Sequence, residues 1–413
     1  MPRTGSRSAI WPSAKAPAEA ARPTRRRSRP VTASLWTVAA AAAASLWWLL
    51  LALPWLPWGT RERLDPEEVA GCSLDDITVL IPARNEAATI GRTLAGLSGQ
   101  GSGLRTVVID DDSTDGTAAA ARASGLPNLT VLHGAPLPPG WTGKLWALEQ
   151  GRRGVDTPLV LLLDADIALA PGTLGALRNR LRADGLQMVS LMAAPGLQGL
   201  WERLLMPAFI YFFKLLYPFR LANSPSRFVA AAAGGCVLLE TAWLQRIGGF
   251  ATIRGRIIDD CALAAAIKSH GGRTWIGLTH AARMVREHDF RTIWNMVART
   301  AFTQLRYSTV LLLLCSAALI LAFAVPPAAL AASAGSARAL AAAAILGMWL
   351  SYLPTLRFYG RSPLWGLALP VVGVLYLAMT WTSALRYWRG DRSRWKDRTY
   401  LRVPAGGGPH TRR

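Results

Sequence analysis

Two separated blocks of apolar sequence, the first of them uncharged, constrain this chain more than any other feature. Residues 31–53, VTASLWTVAAAAAASLWWLLLAL, carry no charge and are about long enough to cross a hydrocarbon layer of ~30 Å. Trp47, Trp48, Trp55 and Trp58 gather at the far end, as aromatic residues do at a membrane interface. A cleaved leader is the competing reading, but the segment is long for one and no small-residue cleavage site follows LPWLPWGT. The second block starts near Thr309 and divides into about 309–332, 338–356 and 363–385, with Arg357 and Arg361 between the last two. Three such segments in succession exceed what a soluble core needs. The expectation is an anchor at 31–58, a domain between, and C-terminal membrane segments over 309–385.

The distribution of charge bears on orientation. Of a net +21, residues 1–30 supply eight Lys/Arg and one Glu, and residues 386–413 nine Lys/Arg and two Asp, so the middle is only mildly basic. Arg25, Arg26 and Arg27 have no reading motif beside them, so nucleic acid is not expected as a partner. Next to apolar segments, basic tails meet anionic headgroups. Arg357 and Arg361 favour the inside and place residues 60–308 there too. Four crossings would then send both basic tails outside, against the same rule. One of the four segments is therefore expected to be interfacial or re-entrant. The four cysteines, Cys72, Cys236, Cys261 and Cys315, show neither pairing nor metal-ligand spacing, which suits a reduced compartment. Nothing in the sequence specifies an oligomeric state.

From about Asp76 to Asp289 short apolar runs alternate with helical stretches. Residues 77–84, 105–110, 129–133 and 158–164 read as strands buried on both faces. Helices are expected over 87–98, 117–124, 143–153 and 171–183. That alternation predicts an α/β domain with a mostly parallel, Rossmann-like sheet, whose ligands sit beyond the carboxyl ends of the strands.

Those ends are acidic. The first runs into PARNE (Pro82 to Glu86, with Asn85), the second into DDDSTDGT (Asp110, Asp111, Asp112), the fourth into DAD (Asp164, Asp166). Converging carboxylates repel unless a cation or a donor-rich ligand sits among them. A hard divalent ion such as Mg²⁺ or Mn²⁺, completed by phosphate oxygens, fits that requirement. No phosphate-cradling glycine loop is present, since GWTGK (140–144) lacks its spacing. The expected ligand is a nucleoside diphosphate held by metal, with Lys144 adding charge. Farther on, Gly234 and Gly235 allow close approach of a ligand. Asp259 and Asp260 start a helix, where one is expected to cap and the other to act as a base. Gln304, Arg306 and Tyr307 lie where the domain meets the second membrane block.

As an ordered set over about residues 75–310, these motifs resemble the family 2 glycosyltransferases with the GT-A fold. GWTGKLWAL, AAAGGC, IDDCAL and TQLRYS look most like the hopene-associated glycosyltransferases of bacterial hopanoid gene clusters. The resemblance implies that Asp111, with Glu86 and Asp110, faces the nucleotide base and ribose. It makes Asp164 and Asp166 the metal motif, with Asp166 the direct ligand, and Asp260 the catalytic base. It matches Gln304 and Arg306 to a Q-x-x-R-W segment in which Tyr307 replaces tryptophan. It further implies a UDP-sugar donor, a lipid acceptor, and a place in the bacterial inner membrane with the catalytic domain facing the cytoplasm. Transfer to polyprenyl phosphate, and a non-catalytic nucleotide-sugar-binding membrane protein, are the rival readings.

Overall fold

The computed structural model describes residues 1–2, 31–66, 73–390, 394–395 and 398–399. Cys72 and most of the basic tails expected at 1–30 and 386–413 lie outside them.

Helix α1 (Val31–Ala52) leads into the α/β domain. There β1 (Ile77–Ala83), α2 (Ile90–Ser98), β2 (Arg105–Asp110), α3 (Thr117–Ala123), β3 (Leu129–His133), α4 (Gly143–Arg152) and β4 (Leu159–Leu163) alternate as the apolar runs predict. They are followed by β5 (Ile167–Leu169), α5 (Thr173–Ala183), β6 (Met188–Ala194), α6 (Leu200–Leu216) and α7 (Phe219–Ala222). The domain closes with β7 (Cys236–Glu240), α8 (Thr241–Arg246), α9 (Asp259–Ser269), β8 (Thr274–Met284) and α10 (Phe290–Gln304). Four helices follow, α11 (Thr309–Leu319), α12 (Val325–Ala332), α13 (Gly335–Phe358) and α14 (Leu369–Trp388), and beyond them Arg394–Trp395 pairs with Arg398–Thr399.

The eight strands form one sheet in the order β3-β2-β1-β4-β7-β6-β8-β5. The four predicted strands pair in parallel, but β7 runs antiparallel to both β4 and β6, and β5 antiparallel to β8. The sheet is therefore mixed. Alternation along β1 splits the core into two layers: Ile77, Val79 and Ile81 meet α2 and α5 on one face, while Leu80 meets α4 on the other. Each such side chain, fully buried, contributes about 1.5–3 kcal/mol. Strand β3 departs from expectation. It is an edge strand with β2 as its sole neighbour, and most of its residues are partly or fully exposed. Pro82 is tolerated in β1 because pairing with β4 stops at Leu80, leaving no partner that needs the missing N–H.

Four stretches are long and apolar enough to cross a membrane: Leu35–Ala52, Thr309–Ala332, Gly335–Phe358 and Pro363–Trp388. They do not reach equally deep. Farthest from the α/β domain, Ala40, Ala329 and Ala341 join α1, α12 and α13 with no contribution from α14. At mid-depth, Trp47 Nε1 donates to the Ala322 carbonyl across 3.0 Å and Phe323 packs on Gly373. Nearest the domain, Leu312 packs with Ala384 and Phe302, and Tyr307 stacks on Tyr387 with centroids 4.5 Å apart. So α14 starts halfway down and runs back. The 3₁₀ turn Pro363–Ala368 before it descends beside α13, where Gly366 meets Trp349. Both ends of Pro363–Trp388 thus lie on the domain side. His280 fixes one, its Nε2–H donating to the Phe358 carbonyl at 2.8 Å; Arg386 fixes the other, donating to Asn295 Oδ1 at 2.8 Å.

Candidate active site

The loops after β1 and β2 are knitted together. Asn85 N donates to Ser113 Oγ, Thr114 N to Asn85 Oδ1, Glu86 N to Thr117 Oγ1 and Ala87 N to Asp115 Oδ2, at 2.7–3.0 Å. Much of DDDSTDGT therefore shapes this rim. Asn85 and Asp112 have positive φ, 52° and 58°, a left-handed conformation that Asn and Asp tolerate best among side-chain-bearing residues. Asp110 accepts from Ser113 N at 3.3 Å, and Asp110 and Asp111 are both buried.

The β4 end is where charge concentrates. Lys144, in the first turn of α4 behind a Thr142 cap, places Nζ 2.7 Å from Asp164 Oδ1 and 3.7 Å from Asp259 Oδ2. Burial raises the Asp164 pKa even against this neighbour, while the surrounding carboxylates drive that of Lys144 upward against its own desolvation. Asp166 is held by Arg286, whose Nε lies 3.1 Å from Oδ2 and whose other arm reaches Glu86. The repulsion expected among the carboxylates, roughly 4 kcal/mol per pair at 4 Å and an effective dielectric near 20, is offset by these two cations.

Asp260 sits beside them at the start of α9. Its Oδ2 accepts from Gly234 N at 2.9 Å and its Oδ1 from Cys261 N at 2.7 Å. The capping expectation is corrected here: Asp260 receives backbone donors, while Asp259 turns to Lys144. Burial first, then the charge of Asp259, pushes the Asp260 pKa up to about 6. A Cβ on Gly234 would lie 3.3 Å from both Asp260 Oδ2 and Lys144 Nζ, so this glycine admits the site's own side chains. Lys268 steadies the chain leading to Gly234, its three N–H groups shared among the carbonyls of Ala222, Ser224, Ser226 and Val229, which lie 2.5–3.0 Å from Nζ.

Gln304, at the end of α10, accepts from the Tyr217 hydroxyl at 2.6 Å. Arg306 does not join the acidic cluster. It is exposed and forms no ion pair among the described residues, because left-handed backbone at Arg306 and Tyr307 turns the chain away toward α11. Arg286 and Tyr217 are the residues that sequence reading missed. Each acts across 87 residues or more, and no local pattern marks either.

Asp164 and Asp166 are hard oxygen donors separated by one residue, and among the described residues no set of three or more His, Cys, Asp or Glu is gathered for a metal. That donor set fits a divalent ion which takes one or two carboxylates and completes its shell with phosphate and water. It does not fit an all-protein cage.

Over 101 residues the chain is 35% identical to a 4,4'-diaponeurosporenoate glycosyltransferase of Staphylococcus haemolyticus, covering 24% of this chain and 26% of that protein. It is 35% identical over 107 residues to the succinoglycan biosynthesis protein ExoU of Rhizobium meliloti, covering 25% and 30%. The matches thus span under a third of these relatives' length. Among solved structures, the mannosyltransferase PcManGT from Pyrobaculum calidifontis, in complex with GDP-Man and Mn²⁺, is similar with a TM-score of 0.53, covering 86% of this chain and 97% of that one. At 23% identity that likeness is one of fold, and it makes the α/β domain GT-A. A family model described as "Glycosyltransferase like family 2" matches residues 75–303, the stretch that holds the sheet, the acidic rim and the α9 helix. With more than half its length accounted for in this way, the chain belongs to that family.

Proposed function

We propose that this protein is a membrane-bound, inverting glycosyltransferase that moves a sugar from a nucleoside-diphosphate sugar, UDP-linked on the motif likeness, to a lipid acceptor. The single observation that carries the reading is the meeting of Lys144, Asp164, Asp166 and Asp260 within one charged network at the carboxyl end of β4. The membrane helices packed on α6 and α10 support a lipid acceptor. The likeness of GWTGKLWAL and IDDCAL to the hopene-associated glycosyltransferases supports a lipid of hopanoid or related metabolism.

In the mechanism the acceptor hydroxyl gives its proton to Asp260 as its oxygen attacks the anomeric carbon. The carbon–oxygen bond to the diphosphate breaks on the opposite face, and the electron pair leaves with the diphosphate. Lys144 holds positive charge beside that leaving group, and Arg286 offers a second cation. Asp164 and Asp166 would hold a divalent ion, which would supply further positive charge for the leaving diphosphate. Glu86, Asn85, Asp110 and Asp111 form the rim assigned to base and ribose.

We also read the domain as facing the cytoplasm of a bacterial inner membrane. Three helices cross and Pro363–Trp388 doubles back, which puts Arg386 and Arg389 on the catalytic side as the positive-inside rule expects, although the rule is not met by the basic residues 1–30 that precede the crossing α1.

The test is direct. Purified full-length protein in nanodiscs should release nucleoside diphosphate and label lipid, and Asp166→Ala and Asp260→Asn should each abolish transfer while remaining folded. Lipids extracted from a deletion strain should lack one glycosyl mass increment. Near-normal turnover in either variant would refute that residue's role; full transfer by Asp260→Asn would favour a phosphate acceptor, which needs no base.

A further inference from the structure

One side chain joins the reaction centre to the membrane helices. Tyr217 caps α6, its hydroxyl donates to Gln304, and its side chain packs in one cluster with Cys261, the residue after Asp260. The same helix is held among the membrane segments. Tyr211 O–H pairs with Ser351 Oγ at 2.7 Å, and Phe212 packs on Phe323 and Tyr376 with centroids 5.6 and 4.7 Å away. From Tyr211 to Tyr217 is about 9 Å of helix. Along α13 the level advances in step, because Phe213 and Tyr217 pack in one cluster with Phe358 and Tyr359. Arg357 and Arg361 bracket that level and mark the domain-side limit of the span. The proposed base is therefore at the boundary of the apolar layer, with no stand-off between them.

Resting on the glycosyltransferase reading above, we infer that the acceptor is a short-headed lipid, whose attacked hydroxyl lies on or within a few bonds of its apolar body, and that Tyr217 and Gln304 are positioning residues that hold it beside Asp260. A lipid bearing an extended glycan head would carry its terminal hydroxyl well above this level. An isolated hydroxyl on an apolar body cannot rise to meet a base placed higher, so the geometry suits it and penalises the long head. Tyr217 and Gln304 already exchange one hydrogen bond, and each keeps capacity for another from or to an acceptor oxygen.

The experiment uses full-length protein in nanodiscs with a labelled nucleotide sugar and two probes: a long-chain 1-alkanol, and the same chain carrying a trisaccharide head. Transfer to the alkanol should exceed transfer to the glycosylated chain at least tenfold. Tyr217→Phe should raise the acceptor KM several-fold while kcat at saturating acceptor changes less than twofold, and Gln304→Asn should do the same. Equal or better use of the trisaccharide acceptor, or an unmoved acceptor KM in both variants, overturns the inference. So does release of nucleoside diphosphate with neither probe glycosylated. Absence of any donor turnover in the unaltered protein would instead sink the glycosyltransferase reading itself.

Discussion

The Nε of Arg286 lies 3.1 Å from Asp166 Oδ2, and the same guanidinium reaches Glu86. One cation thus bridges the rim after β1 and the acidic turn after β4, which are 80 residues apart in the chain. Arg286→Ala should leave those carboxylates facing each other without a common counter-ion, raising the donor KM about tenfold, the equivalent of roughly 1.4 kcal/mol. Arg286→Lys should recover little, because an ammonium lacks the planar fork that spans two carboxylates. Donor titrations on the three proteins decide this, and full recovery by lysine would remove the bridging role.

Asp260 sets the pH response. With its pKa pushed up to about 6, mainly by burial, the base is ionised above that pH and protonated below it. Because the deprotonated form accepts the acceptor's proton, kcat/KM should hold above pH 6 and fall about tenfold per unit on the acid side. Asp260→Asn should be slower by about 10²–10⁴-fold and lose that limb. A wild-type profile flat from pH 7 to pH 5 would assign the base elsewhere.

The half-depth return of Pro363–Trp388 predicts where the chain emerges. In intact cells, an impermeant maleimide should label Ser333→Cys, between α12 and α13, and spare Ser362→Cys and Arg389→Cys until the membrane is opened. If Arg389→Cys labelled together with Ser333→Cys, α14 would be a full crossing and the re-entrant reading would be wrong.

The first four strands and the helices between them were legible to within a few residues because each is a dense apolar run bounded by turn chemistry. Strands β5 to β8 were not. Ile167–Leu169 is too short to carry a period, and the antiparallel neighbours of β7 are set by tertiary pairing. Lys144, Asp164, Asp166, Asp260 and Gly234 were named from sequence and are gathered here. Arg306 is the exception, since a left-handed turn two residues past the helix is decided by packing on Tyr387. Arg286 and Tyr217 escaped because a single Arg or Tyr carries no periodic signature, and their partners lie far off in sequence.

The knitted rim after β1 and β2 has a bearing on how any substitution there will be interpreted. With Asn85, Glu86 and Ala87 each tied to Ser113, Thr114, Asp115 or Thr117, the two loops form a single thermodynamic unit rather than two independent contact surfaces. Effects of changing one loop will not add to effects of changing the other. A loss of nucleotide affinity from Ser113 or Asp115 is therefore no proof that those side chains touch the ligand.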